Sequence, residues 1–191
     1  MSDVLSGIST AHLSNLLSPV FMRYCVHPKT IDLRGPNGAA SFHSKSITSI
    51  PFSEFSLLPL ANIRQFHLDL VHPSCTMPFD HLSFFPAIET FIVSGADLSL
   101  LSTLLSNPSA SSSLKTLAFW DCVLTEEFMK DLTQFASNRK KTASAWLHRV
   151  VVVHSDGILP SVVSIRGLEE HVPVVDARIA AELPMDLFGR V

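Results

Sequence analysis

A short apolar pattern recurs along the chain: an apolar residue, two variable residues, an apolar residue, one variable residue and a third apolar residue. Its five copies begin at Ile63, Ile88, Leu114, Leu147 and Val172, which are 25, 26, 33 and 25 residues apart. The last two apolar positions of each copy are two residues apart, as on one side of a β-strand. The pattern therefore predicts five strands in a repeating unit, and residues 30–33 have the composition of a similar strand.

Between these strands the apolar spacing becomes that of a helix. Residues 97–105 begin with Asp97 as a helix cap and continue with leucines three and four residues apart. A second helix is predicted after Thr125, where two glutamates follow the cap and Arg139 stands among the basic residues at the end. A third is predicted for residues 161–170. Alternating strands and helices at so short a period predict an α/β solenoid, with parallel strands joined by outer helices.

The connections between the predicted elements carry strong turn signals. Residues 35–38 read Gly-Pro-Asn-Gly, and a run rich in serine follows the first predicted helix at residues 106–113. Glycine, proline and asparagine favour tight turns for reasons of backbone geometry. The chain is therefore expected to turn sharply at residues 35–38.

Composition narrows the class of protein. Of 191 residues, 47% are hydrophobic and only 16% are charged, which excludes global disorder. The net charge of −3 argues against nucleic-acid binding, and no run of 18 apolar residues is present to cross a membrane. Three widely spaced cysteines and an N-terminus without an apolar core for a signal peptide favour an intracellular protein, cytoplasmic or nuclear.

Three phrases of the repeat resemble a known family: ANIRQFHL at residues 61–68, FPAIETF at 85–91 and SLKTLAF at 113–119. The chain resembles the irregular leucine-rich repeat region of fungal F-box-like proteins. The resemblance implies a short leucine-rich-repeat-like solenoid over residues 28–180, preceded by a cap or partial repeat at 1–27 and followed by a tail at 181–191. Of the Asn or Cys usual after each strand, only Cys122 is present, so we expect uneven repeats.

The F-box itself is not visible in the sequence. That helical module recruits the Skp-type adaptor of a ubiquitin ligase, and nothing before residue 28 resembles it. Residues 182–187 resemble its opening only superficially and are interpreted as part of the tail. A Skp-type adaptor is therefore expected as a partner only if an F-box lies outside this chain.

The residues between the apolar positions are the candidates for binding. They project from the opposite side of each strand, and stacking predicts two rows, one of His67, Ile92, Ala118 and Val151 and one of Asp69, Ser94, Trp120 and Val153. An open apolar row beside a tryptophan is typical of a protein-binding surface. The candidate binding residues are His67, Asp69, Ile92, Trp120, Arg149, Val151 and Val153. Alternatively, parallel sheets are usually covered on both faces, and the N-terminal segment, the tail or a further domain would then hide the rows.

Metal binding and catalysis find little support in the sequence. The densest group of metal-ligating residue types, His67, His72, Cys75 and His81, has the spacing of no zinc module, so surface histidines are expected. No nucleophile elbow, dinucleotide fingerprint or phosphate-binding loop is present. The nearby residues His148, His154 and Asp156 are interpreted as surface polar groups, and Cys122 as a buried thiol. No catalytic residue, metal ion or cofactor is expected.

The sequence thus favours a non-enzymatic protein-interaction module. Its resemblance implies the substrate-recognition region of an F-box-type ubiquitin-ligase subunit, with an unidentified protein as its target and neither nucleic acid nor membrane as a partner. Two other hypotheses stay open. One is a truncated fragment without activity of its own, whose exposed rows meet the rest of a longer protein; the other is a hydrolase with an unrecognised site.

Overall fold

The computed structural model of the chain describes residues 19–25, 30–43, 60–69, 85–95, 112–141, 146–155, 157, 159–182 and 187. These residues form a mixed α/β structure with one eight-stranded sheet and two α-helices. The strands are β1 (Phe21–Cys25), β2 (Thr30–Gly35), β3 (Gly38–His43), β4 (Gln65–Asp69), β5 (Thr90–Ser94), β6 (Thr116–Trp120), β7 (Arg149–His154) and β8 (Val174–Ile179). The helices are α1 (Glu126–Lys141) and α2 (Val162–Glu169).

The sheet is open and mostly parallel. Its order is β3-β2-β1-β4-β5-β6-β7-β8, so each strand from β4 onward pairs with the next described strand in the chain. Strands β1 and β4 to β8 are parallel, while β2 and β3 pair in antiparallel fashion at one edge. The expectation that residues 30–33 repeat the parallel strands is corrected, because β2 runs antiparallel to β1. The predicted turn is confirmed, since Gly35 pairs with Gly38 across it.

All five copies of the apolar pattern lie on strands β4 to β8, as predicted. The strands pair in register, so that each position of one copy is the neighbour of the equivalent position in the next copy. One such row across the sheet is Phe66, Phe91, Leu117, Val150 and Val175. The first apolar residue of each copy is also buried, just before its strand. The pattern predicts the register because inward side chains of adjacent strands must meet in one core.

A backbone contact also repeats from one unit to the next. The carbonyl of Val20 accepts hydrogen bonds from the N–H groups of Arg64 and the residue after it. The carbonyls of Arg64, Glu89 and Lys115 each accept in the same way from two N–H groups of the next unit, those of the first residue of its strand and of the residue before it. Consecutive units are thus joined at equivalent points along the edge where the parallel strands begin.

The main core lies on the side of the sheet that faces the helices. Phe66, Phe91 and Phe119 belong to it, and α1 contributes Phe128, Leu132 and Phe135, as its predicted apolar face requires, with Leu168 from α2. Helix α1 begins at its predicted cap, since Thr125 Oγ1 accepts from the N–H of Phe128 at 3.1 Å. Helix α2 lies within the predicted residues 161–170, and Ser161 caps it. The helix predicted at residues 97–105 lies outside the described residues.

Arg139 lies in the last turn of α1, as predicted, and its side chain is buried. Its Nη2 donates a hydrogen bond of 2.8 Å to the carbonyl of Leu114, which ties the end of α1 to the start of β6. Burial lowers the pKa of this guanidinium from its usual value. In the described part of the chain, neither helix combines the length and apolarity that crossing a membrane requires.

Candidate functional site

The side of the sheet away from the helices, which we call the second face, carries all of the candidate binding residues. Strand alternation places them there because their neighbours along each strand point into the main core. The register aligns His67 with Ile92, Ala118 and Val151, and Asp69 with Ser94, Trp120 and Val153. These are the two predicted rows. Arg149 lies on the same face, one step toward the beginning of β7.

The expected exposure of the apolar row is corrected by the structure. Ile92, Ala118, Val151 and Val153 all have 0% of their surface exposed. They form a second apolar cluster with Leu187, and Trp120 and Ala180 pack against its edge. We call the four strand residues the apolar strip. The reason is that parallel strands with apolar residues on both sides need cover on both faces.

A buried polar cluster borders the apolar strip on the side of β1 and β4. Arg23 forms an ion pair with Asp69, and His67 Nε2 lies 2.7 Å from Ser94 Oγ. Ser94 Oγ in turn lies 3.3 Å from Asp69 Oδ1. His67 has only 2% of its surface exposed, so the expectation of a surface histidine is wrong. His67 lies on β4, between Arg23 of β1 and Ile92 of β5, and is therefore covered by side chains on both sides.

The electrostatics of this cluster favour a neutral imidazole. Burial, and next the positive charge of Arg23, lower the pKa of His67 from 6.5 to about 4, against the opposing charge of Asp69. The Nε2–H tautomer satisfies both contacts, because the ring then donates to Ser94 while the hydroxyl donates to the Asp69 carboxylate. The cluster therefore carries one ion pair and no further charge at neutral pH.

This order of protons does not suit a serine nucleophile. In the Nε2–H tautomer the imidazole donates to Ser94, whereas a catalytic base must accept the hydroxyl proton. A pKa of about 4 also makes His67 a weak base near pH 7. The arrangement is that of a buried polar network that holds β1, β4 and β5 together.

A second charged group borders the apolar strip on the side of β8. Arg149 Nη2 lies 3.5 Å from Asp176 Oδ2, and Arg178 forms an ion pair with the same carboxylate. Asp176 is the register partner of Val151, so this charge lies directly beside the strip. The second face is thus apolar in the middle and charged at both sides.

Trp120 is the last residue of β6 and lies in the register between Ser94 of β5 and Val153 of β7. It is partly buried, and its indole Nε1 is shielded from solvent yet finds no hydrogen-bond partner among the described residues. Buried indole N–H groups normally have an acceptor. The Nε of Arg23 on the same face is shielded in the same way and also has no acceptor among the described residues.

Asp121 fixes the backbone that follows Trp120. It has a φ of 51°, in the left-handed region, and its Oδ1 accepts a 2.7 Å hydrogen bond from the N–H of Ser155. Its own N–H donates to the carbonyl of Val153. The ends of β6 and β7 are therefore joined next to Trp120.

The other histidines and cysteines do not assemble a second site in the described residues. His148 precedes β7 and His154 ends it, so about 20 Å of strand separates them; Asp156 lies outside the described residues. Cys122 is buried, as predicted. No group of three metal-ligating side chains is found among the described residues, and His72, Cys75 and His81 lie beyond them.

An open groove of about 490 Å³ lies between α1 and α2. Its polar lining is largely used within the chain: Ser164 Oγ donates to Glu126 Oε2 at 2.5 Å, and Thr133 Oγ1 donates to a carbonyl of α1. Hydrogen bonds from Ser164 and Ser161 lower the pKa of Glu126. The second face, with its unused donors and apolar strip, is the better candidate for a binding site.

Sequence reasoning missed four residues of the second face: Arg23, Asp176, Arg178 and Leu187. Apolar residues lie on both sides of Arg23 in Phe21–Cys25 without alternating with polar ones, so no periodic signal marks Arg23 as part of this face. Asp176 and Arg178 follow from the register of the fifth repeat. Leu187 stands alone in the tail, and no periodicity marks it.

No protein-family model matches the chain, and the comparison with curated proteins also finds no match. The function is therefore argued from the second face itself.

Proposed function

We propose that the protein is a protein-interaction module that holds a segment of a protein partner against the second face. The observation that carries this proposal is Trp120, which is only partly buried beside the apolar strip and whose indole N–H has no acceptor among the described residues, together with the charged groups on both sides of the strip. Aromatic and apolar anchors within a polar rim are the usual composition of protein interfaces. Small-molecule chemistry would instead need convergent reactive groups, and His67, with a pKa of about 4, is too weak a base near pH 7 to activate Ser94.

The charges around the strip supply selectivity in this proposal. Arg23 and Asp69 lie on one side, and Arg149, Asp176 and Arg178 on the other. Charged groups at the rim of an interface steer the partner and fix its register more than they add affinity. A partner with an apolar anchor and hydrogen-bond acceptors beside it fits this pattern.

The resemblance to leucine-rich repeat proteins supports the same proposal. We infer a short, uneven solenoid, because the strands follow in chain order and the backbone contact between units repeats. In that reading the chain acts as the target-recognition region of an F-box-type ubiquitin-ligase subunit, and the bound segment belongs to the protein to be modified.

Selection from a library of random peptides tests the binding face directly. The purified chain is used as bait, and the peptides obtained are measured by fluorescence polarisation against the native chain, Trp120→Ala and Val163→Ala. Val163 is 81% exposed on α2 and serves as the matched control. We expect Trp120→Ala to weaken binding at least about tenfold while Val163→Ala leaves it unchanged. Equal binding by all three chains, or no enrichment on a folded bait, would contradict the proposal.

The link to ubiquitin ligase is tested separately with a purified Skp-type adaptor. Because no F-box is visible in the sequence, we expect no complex between the adaptor and this chain in size-exclusion chromatography. A stable complex would show that these 191 residues bind the adaptor themselves, and the chain would then do more than recognise the target.

A further inference from the structure

Leu187 lies over the apolar strip, well inside the sheet. Only 3% of its surface is exposed, and it packs with Ile92, Ala118 and Val151 of three successive strands, together with Val153. It comes from the segment that follows β8, the edge strand, and stands eight residues after Ile179. The chain therefore returns from the edge of the sheet to place one leucine over its centre.

The two faces of the sheet are covered differently in the described residues. On the helix side, α1 and α2 contribute a large set of apolar side chains to the main core. On the second face, the buried side chain contributed from outside the strands is Leu187, with Ala180 partly buried beside it. Burial of a leucine side chain favours the packed position of Leu187 on the order of 10- to 150-fold, which leaves a minor state in which this side chain is displaced. A competing apolar side chain of similar size can shift such an equilibrium.

Two donors on the second face, one on β6 and one on β1, indicate what an occupant must supply. Trp120 Nε1 and Arg23 Nε are shielded from solvent and have no hydrogen-bond partner among the described residues. A segment that placed a leucine on the strip and a carbonyl or carboxylate oxygen beside Trp120 would satisfy the indole donor, which lies next to Val153 in the register. The sequence around Leu187 has this composition, since Asp186 precedes the leucine.

We propose that Leu187 is an intramolecular occupant of the protein-binding face, and that a partner binds by displacing it with a leucine-bearing segment of its own. The inference rests on the proposed function, because it assigns the same face to the partner. Beyond that function, the inference specifies that the bound segment carries a leucine. It also makes Leu187 an internal competitor that lowers the affinity of the second face for a partner segment.

Tryptophan fluorescence can report the occupancy of the face. The chain has two tryptophans, and Trp146, which is partly exposed and donates to the carbonyl of His171, is replaced by Trp146→Phe. Trp120 is then the only indole, and it packs against the cluster that contains Leu187. In this background we expect Leu187→Ala to shift the emission of Trp120 to longer wavelength, whereas Ile179→Ala, an exposed control on β8, leaves it unchanged.

The competition is measured with a synthetic peptide of residues 182–191 and the same peptide carrying Leu187→Ala. We expect the leucine peptide to bind the full chain carrying Leu187→Ala at least about tenfold more tightly than the native chain, and to restore the native emission. The alanine peptide should bind at least about tenfold more weakly. Leu187→Val replaces Leu187→Ala if circular dichroism shows that the alanine variant is unfolded.

Two results would overturn the inference. Equal binding of the leucine peptide to the native and variant chains would show that Leu187 does not compete, as would no binding by a folded variant chain. If library peptides nonetheless bind both chains equally and depend on Trp120, the inference fails while the proposed function stands. If no library peptide binds either chain, both fail, and Leu187 is then ordinary internal packing.

Discussion

Acidification should destabilise the protein through His67, the buried histidine of the polar cluster. Its pKa is about 4 in the fold, against 6.5 for an unperturbed histidine. The fold therefore favours the neutral imidazole, and the unfolded chain takes up a proton first as the pH falls below 6.5. This contribution to stability is present in full above pH 6.5 and is lost as the pH falls toward 4.

The size of the effect follows from the two pKa values. Their difference, 6.5 − 4, corresponds to about 3 kcal/mol once both states are protonated, since one pKa unit is worth about 1.4 kcal/mol. At pH 5 the unfolded histidine is almost fully protonated, while only about a tenth of the folded one is. The expected loss of unfolding free energy between pH 8 and pH 5 is then about 2 kcal/mol.

Urea unfolding followed by circular dichroism at several pH values between 8 and 5 measures this loss. The decisive variant is His67→Gln, whose amide can still donate to Ser94 but does not titrate. We expect the native chain to lose about 2 kcal/mol more than His67→Gln over this range. His148→Gln, which removes an exposed imidazole outside the cluster, is the control and should follow the native curve.

Parallel curves for the native chain and His67→Gln would refute the reasoning, because the histidine would then titrate alike in both states. A direct check is the pH dependence of the His67 ring signals in NMR spectra. A midpoint near 6.5 would show that the fold leaves this imidazole accessible to protons, contrary to its burial between Arg23 and Ser94.

Three further predictions concern single residues. Arg139→Ala should lower the unfolding free energy by about 3 kcal/mol in urea denaturation, because a buried charge-assisted hydrogen bond is lost. The control Lys141→Ala, at an exposed position, should change it by less than about 0.5 kcal/mol, and equal effects of the two substitutions would contradict the buried role of Arg139. Asp121→Ala should cost about 1–2 kcal/mol, since it loses both the acceptor for Ser155 and a residue that tolerates positive φ, while Asp121→Asn should melt within a few degrees of the native chain. Ser94 should resist a fluorophosphonate probe that labels activated serines, and labelling at this residue would revive the hydrolase hypothesis.

The strands of the repeat could be predicted because their pattern is local. Alternation of apolar residues identifies each strand, and equal spacing within each copy identifies which residues pair across strands. The observed partners of Phe66, Phe91 and Leu117 are those that the pattern implies. Helices α1 and α2 could be predicted for the same reason, since their starts depend on local capping by Thr125 and Ser161.

Strand β1 and the direction of β2 were not predicted. Phe21–Cys25 has an arginine at its centre and no copy of the repeat pattern, yet it pairs with β4 from more than 40 residues away. Strand β2 has apolar residues like those of a repeat, but its direction follows from its pairing with β1. Pairing partners that are distant in sequence leave no periodic signal, so only the assembled sheet reveals them.

The sequence by itself determined which side chains share the second face, because alternation along a strand and the common register leave one arrangement of His67, Ile92, Trp120 and Val151. Only the tertiary structure decided that this face is covered and that Leu187 covers it. The reason is physical: a side chain's orientation on a strand depends on its near neighbours, whereas its exposure depends on which distant segment packs above it.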